Sequence, residues 1–315
     1  MASSPNSAGV RALEMQVGGH QGVQQSHEGD LIMKPCLPAE RDFYQVIAAD
    51  ARLAALRPHV PKFYGTLRLE GQVSAENAPG GEVGANQLRE VLAKGANKPD
   101  SGKDEKPNIL DVKLGTVLYD ETASEEKKVR MEKTARETTS LETGLRLTGF
   151  SVYDPSALSF TVAPKEYGKS IKAEQLPEGV ARFFPETVPR DALLRVLGLV
   201  HDKLVEIQQV LAETEIRMVG GSVLIVWEGD PKALAHAIQA LDEGRDVLEE
   251  SDDDEEVAEV DEDARKPGPV YVVKLIDFAH TKLVPGQGPD GGVMLGMGTT
   301  IKLMEGRIRE LRRAA

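Results

Sequence analysis

Pro107-Asn108-Ile109-Leu110-Asp111-Val112-Lys113-Leu114-Gly115 is an apolar run, punctuated at both ends and interrupted by two opposite charges. Ile109, Leu110, Val112 and Leu114 predict a short buried strand. Asp111 and Lys113 stand two apart, so on a strand both point to the same face. Two uses fit such a pair. One is a structural ion pair between strand neighbours. The other is a carboxylate beside an ammonium, aimed at a phosphate and at the hydroxyl that receives it. A carboxylate accepts or orients a hydroxyl proton, and a lysine holds a phosphoryl group by its charge.

Around this strand, 315 residues supply material for one large domain or two lobes. No apolar run approaches the length of a membrane span and no secretory signal is visible, so no integral membrane segment is expected. Cys36 is the only cysteine. It excludes an intrachain disulfide and a cysteine-based zinc site, and it fits a reducing compartment such as cytosol or nucleus. The formal net charge is -13, but residues 249–263 hold eleven acids and no base, leaving about -2 for the rest. The acidity is local. It does not argue against an anionic substrate, and it gives no reason to expect direct nucleic-acid binding.

The pattern Pro-x-x-x-Asp-x-Lys-x-Gly resembles the signature of the inositol polyphosphate kinases, and within that family the chain looks most like the fungal multikinases. The resemblance runs from about Gln16 to Leu311. It is carried further by Gln16-Val17-Gly18-Gly19-His20, Met33-Lys34-Pro35, Thr139-Ser140-Leu141-Glu142-Thr143-Gly144 and Leu275-Ile276-Asp277-Phe278-Ala279-His280-Thr281. It implies an α+β, two-lobed fold resembling a protein kinase or ATP-grasp enzyme, and phosphoryl transfer from ATP, with Mg²⁺, to hydroxyls of inositol tris- and tetrakisphosphate. Within the family the alternative is an inositol hexakisphosphate kinase making pyrophosphates. From another class, the alternative is a nuclear scaffold for transcription regulators that uses its acidic loop. A monomer in nucleus and cytoplasm is expected.

Residues 1–14 are small and polar and are expected to be disordered. Residues 15–92 would form the N-terminal lobe, 93–106 the hinge, and 107–315 the C-terminal lobe. No Walker pattern or Gly-x-Gly-x-x-Gly occurs, so no loop signature argues for phosphate binding. Leu31 to Lys34 reads as a short strand. Lys34 is a solvated strand end on its own, whereas the resemblance implies that it reaches the ATP phosphates. Glu40 to Leu56 reads as a helix stopped by Pro58; Glu40 is an acid favourably placed near the helix N-terminus or, as the resemblance to kinases implies, the partner of Lys34. Lys62 to Leu69 reads as a strand. The resemblance implies a hinge near Leu88-Arg89-Glu90, where backbone groups at Glu90 and Leu92 would hold adenine.

Ser124 to Glu137 predicts a charged helix on which Lys127, Arg130 and Lys133 make a basic stripe. That stripe is a solvated face or, as the resemblance implies for Lys127 and Arg130, part of the inositol phosphate site. Arg146-Leu147-Thr148-Gly149 is read as structural, and Lys169 as a surface lysine or, by resemblance, as added charge near the site. Asp191 to Glu213 predicts a long amphipathic helix, and Arg217 to Trp227 one buried strand. Residues 243–269 form a self-repelling acidic insertion, read as a disordered loop or as a tail for a basic protein partner. Asp277 ends a predicted strand over Val270 to Phe278. It either caps the turn or, as the resemblance implies, binds ATP through the metal. His280 is a turn histidine or, by resemblance, faces the inositol phosphate. Leu295 to Leu311 predicts a closing helix.

Overall fold

The computed structural model describes residues 10–12, 23–26, 31–66, 106–244 and 268–313. Glu90, Leu92, Gln16 to His20 and the acidic run 249–263 lie outside the described residues. The N-terminal part begins with a small antiparallel sheet, β1 (Val10–Ala12), β2 (Gln24–Ser26) and β3 (Ile32–Met33). β1 falls within residues 1–14, so that segment is not wholly without structure. Helix α1 (Pro38–Ala49) follows, opened by Pro at its first position, where the missing N–H costs nothing. The expected single helix to Leu56 is in fact two. At Asp50 the chain turns, and the Asp50 carboxylate accepts from Arg52 N. A 3-10 helix then runs over Ala51–His59 with Pro58 inside it. Residues 61–66 carry no regular structure, so no strand begins at Lys62. Phe63 instead stacks flat on Tyr44, centroids 5.2 Å apart.

The larger part is built on a five-stranded antiparallel sheet in the order β6-β5-β4-β8-β9. Its strands are β4 (Pro107–Leu114), β5 (Leu145–Asp154), β6 (Ser159–Ala163), β8 (Ser222–Glu228) and β9 (Tyr271–Ile276). The strand expected over Arg217 to Trp227 is broken. Gly220, at φ +78°, turns the chain out of β7 (Ile216–Val219), which leaves to pair with β10 (His280–Leu283) in a separate ribbon. The helices in chain order are α2 (Glu125–Glu137), α3 (Ser140–Thr143), α4 (Lys165–Ser170), α5 (Leu176–Phe183), α6 (Arg190–Glu213), α7 (Pro231–Asp242) and α8 (Gly291–Arg313). Ser124 caps α2 by accepting from Lys127 N.

The core is continuous across both parts. Its aromatic join matters for function. Phe278 is fully buried, 5.2 Å from the Phe43 ring and edge-on to Tyr44 at 5.5 Å. These rings fasten α1 to the turn after β9. They hold Asp277, the preceding residue, in a left-handed conformation at φ +65°. Such a conformation costs roughly 1–2 kcal/mol for an ordinary residue and less for aspartate. The burial of Phe278 between the Phe43 and Tyr44 rings anchors the residue that follows Asp277.

Candidate active site

β4 is the central strand, paired with β5 on one side and β8 on the other. Asp111 and Lys113 both line a cavity of about 220 Å³, as their two-residue spacing requires. The register with β5 adds to it. Asp111 pairs with Gly149 and Val112 with Leu147, so Thr148 is an extra residue on β5, a bulge beside Asp111. Beyond the bulge, Lys113 stands directly opposite Arg146. Thr148 and Arg146 both face the cavity.

Helix α4 supplies the next wall. It lies so close on β5 that a Cβ at Gly168 would sit 1.5 Å from the Leu147 carbonyl oxygen. Only glycine permits that approach, and it brings Lys165 and Lys169, one turn apart, to the cavity. Asp277 closes the cavity from the end of β9. Arg146, read from sequence as structural, Lys169, read as a surface lysine or as charge near the site, and Lys165, not singled out there, all line the cavity.

The lining carries more positive than negative charge. Two cations directly opposite on neighbouring strands repel one another. Asp111 and Asp277 are the carboxylates set against Lys113, Arg146, Lys165 and Lys169 in the lining. Arg146 Nη1 is buried with no hydrogen-bond partner among the described residues, and so is Asp111 Oδ1. Burial raises the Asp111 carboxyl to about 6. Lys113 and the Ser222 and Thr148 hydroxyls pull against that rise, while Asp277 adds to it. Neither hydroxyl makes a hydrogen bond of full geometry. Burial depresses the Lys113 ammonium, which Asp111 and Asp277 partly restore. Its Nζ donates to the Gly220 carbonyl at 2.5 Å. Burial likewise lowers Arg146, with Asp111 opposing.

Lys34, just after β3, is not among the cavity's lining residues but reaches Asp277 from the N-terminal part. Its Nζ lies 2.6 Å from Glu40 Oε1 and 2.9 Å from Asp277 Oδ1. Burial would lower its basicity, but the bonds and charges of Glu40 and Asp277 outweigh burial and hold the ammonium above its ordinary range. The expected Lys34–Glu40 pair is therefore present, and it joins Asp277.

Lys127, Arg130 and His280 are not among the cavity's lining residues. Lys127 is half-buried in the first turn of α2; the Asp120 carboxyl is lowered chiefly by the Thr122 hydroxyl, with Lys127 the smallest contribution. Arg130, one turn on, is exposed. His280 Nδ1 is 2.5 Å from Asp120 Oδ2.

The chain matches the family model described as inositol polyphosphate kinase over residues 102–305. The chain belongs to the inositol polyphosphate kinase family. The inositol polyphosphate multikinase of Saccharomyces cerevisiae is 29% identical over 354 aligned positions, covering 93% of this chain and 97% of that protein. Human inositol hexakisphosphate kinase 2 is 30% identical over 210 positions, covering 64% of this chain and 48% of that protein. A crystal structure of the S. cerevisiae inositol phosphate multikinase with ADP and Mn²⁺ superposes with a TM-score of 0.61 at 25% identity, covering 87% of this chain and 98% of that one. The two-lobed α+β fold is thus that of the family.

The residues present suit a nucleotide-bound divalent cation. Among the described residues no group of three or more His, Cys, Asp or Glu side chains converges. Asp277 places one carboxylate at the cavity. A small hard cation that takes one or two carboxylates, and its other ligands from phosphate oxygens and water, fits that donor set.

Proposed function

We propose that this chain is an inositol polyphosphate multikinase, transferring the γ-phosphate of ATP to hydroxyls of inositol tris- and tetrakisphosphate with Mg²⁺ held at Asp277. The observation that carries the reading is the cavity itself. A buried carboxylate oxygen without a partner shares about 220 Å³ with four cationic side chains and Asp277. Such a site is stable when a polyanion bearing a hydroxyl enters it.

The roles follow from position. Lys34, tied to Glu40, neutralises nucleotide phosphate charge from the N-terminal side. Asp111 orients the substrate hydroxyl and accepts its proton as the hydroxyl oxygen bonds to the γ-phosphorus and the bond to the β-phosphate oxygen breaks. Lys113 and Arg146, paired across the strands, hold the phosphoryl oxygens at that point. Lys165 and Lys169 hold phosphates on the far side of the ring. The cation, when bound, offsets charge on the nucleotide phosphates. Most of the acceleration on this account is positioning and charge stabilisation. Multikinase is preferred to hexakisphosphate kinase because the similarity to the yeast multikinase spans nearly the whole of both chains, whereas the human hexakisphosphate kinase is matched over about half its length.

A comparison of two double substitutions tests the substrate side. Lys165→Ala with Lys169→Ala removes two charged donors, each hydrogen bond of that kind contributing about 1.5–3 kcal/mol. The KM for inositol trisphosphate is expected to rise by at least about tenfold, with the KM for ATP near wild type. Lys127→Ala with Arg130→Ala is expected to raise the same KM by less, since neither residue lines the cavity. Unchanged substrate KM in the α4 pair would remove these lysines from the substrate site.

A further inference from the structure

Asp111 Oδ1 is buried without a hydrogen-bond partner among the described residues, and so are two hydroxyl oxygens near it, Thr148 Oγ1 and Ser222 Oγ. The hydroxyls come from opposite edges of β4. On the β5 side, the residue directly opposite Asp111 is Gly149, which has no side chain to fill the place beside the carboxylate. Thr148, the bulged residue, takes that side instead. Its hydroxyl is shut off from solvent although the residue lines the cavity. On the β8 side, Ser222 stands opposite Lys113, one diagonal step from Asp111, and is fully buried.

Two donors and one acceptor are thus unpaired in the middle of the sheet, and leaving any of them so is costly away from water. A hydroxyl carries one hydrogen and rotates to suit its neighbour, whereas an ionised carboxylate only accepts. The three groups satisfy one another once Asp111 is ionised. In keeping with this, both hydroxyls draw the Asp111 carboxyl down against the burial that raises it to about 6.

The geometry points to Thr148 and Ser222 as positioning residues for the reaction: from either side of β4 they donate to Oδ1 of ionised Asp111, which holds the carboxylate in one orientation and leaves Oδ2 for the substrate hydroxyl. The inference rests on the reading of Asp111 as the proton acceptor. It goes beyond that reading by giving two uncharged side chains a part in the transfer.

Two measurements on the full chain test it. Valine has the shape of threonine and suits a strand, so Thr148→Val removes the hydroxyl with little change in packing. Ser222→Ala removes the other. The charges that also face the cavity with Asp111 are Lys113 on its own strand, Arg146 on β5, Lys165 and Lys169 on α4, and Asp277 after β9, and all stay in place. In steady-state kinetics with inositol trisphosphate, the acid limb of kcat/KM should move upward from about 6 by about one pH unit in each variant, because a lost donor disfavours the ionised form. At pH 8, kcat should fall about three- to tenfold as the carboxylate loses its fixed orientation. Thr148→Ser, which keeps the hydroxyl, should restore both. Separately, carbon-13 NMR of the side-chain carboxyls in the enzyme without substrate follows Asp111 itself, its signal assigned by its loss in Asp111→Asn. Its titration should move upward in both variants. A titration unchanged in either variant, or Thr148→Ser behaving as Thr148→Val does, would overturn the inference. A titration that moves while kcat/KM keeps its wild-type pH dependence would instead overturn Asp111 as the proton acceptor, which belongs to the functional reading beneath it.

Discussion

Asp111→Asn is expected to lower kcat by roughly 10²–10⁴-fold, the range for losing a positioned proton acceptor. The substitution keeps the shape of the side chain, and the strand around it is fixed on both edges by β5 and β8. Loss of fold is therefore not the expected cause. Asp111 is 4% exposed, and burial holds its carboxyl up near 6. Folded chain thus retains a proton that unfolded chain has released. The stability tied to this group is full below the unfolded value near 4 and is lost as pH rises through about 6. At pH 8 the wild type carries the cost of a buried charge, which asparagine does not. The thermal midpoint of Asp111→Asn at pH 8 should accordingly equal or exceed that of wild type. The same carboxyl must be ionised to accept a proton, so wild-type kcat/KM should fall as pH drops through about 6. Near-normal turnover in Asp111→Asn would remove the residue from the chemistry.

Asp277→Asn is expected to abolish activity on a comparable scale, about 10³-fold, at any concentration of either substrate. Asparagine is the informative replacement because it tolerates the left-handed conformation that Asp277 adopts. Alanine would add backbone strain and blur the result. The change removes the negative charge that ties Lys34 to the end of β9 and, on the proposed reading, the carboxylate that would hold the cation. Calorimetry should therefore show weaker nucleotide binding in the presence of Mg²⁺, while Asp111→Asn binds nucleotide as wild type does. If both variants bound nucleotide equally well, Asp277 would not be the metal ligand.

The parts of this molecule that sequence discloses are those set by local pattern. The Asp111–Lys113 pair, the helix over Arg190–Glu213 and the closing helix each follow from spacing within one element. The Lys34–Glu40 pair, by contrast, is implied by the resemblance and not by spacing, since Glu40 alone reads equally as an acid in the first turn of a helix. Other features depend on register or on contacts between distant segments. The apolar run 223–227 hides the break at Gly220, because the departure of β7 to another ribbon is decided by its pairing with β10. Phe63 reads as strand but is held by stacking on Tyr44.

Arg146, Lys165 and Lys169 were the residues least legible at the site. Arg146 belongs to it only because the bulge at Thr148 sets it opposite Lys113. The two lysines belong to it only because Gly168 lets α4 rest on β5. Their one-turn spacing about a glycine is the sole local trace of that arrangement.

The central claim is that a hydroxyl of an inositol polyphosphate is phosphorylated from ATP in the cavity between Asp111 and Asp277. Its most direct test is incubation of the purified chain with Mg²⁺, ATP and each of inositol tris-, tetrakis- and hexakisphosphate, with products resolved by chromatography. The account predicts stepwise addition of phosphate to the tris- and tetrakisphosphates, with ADP formed in equal amount, and loss of both products in Asp111→Asn. No phosphorylated inositol product, or a product formed equally well by Asp111→Asn, would contradict it.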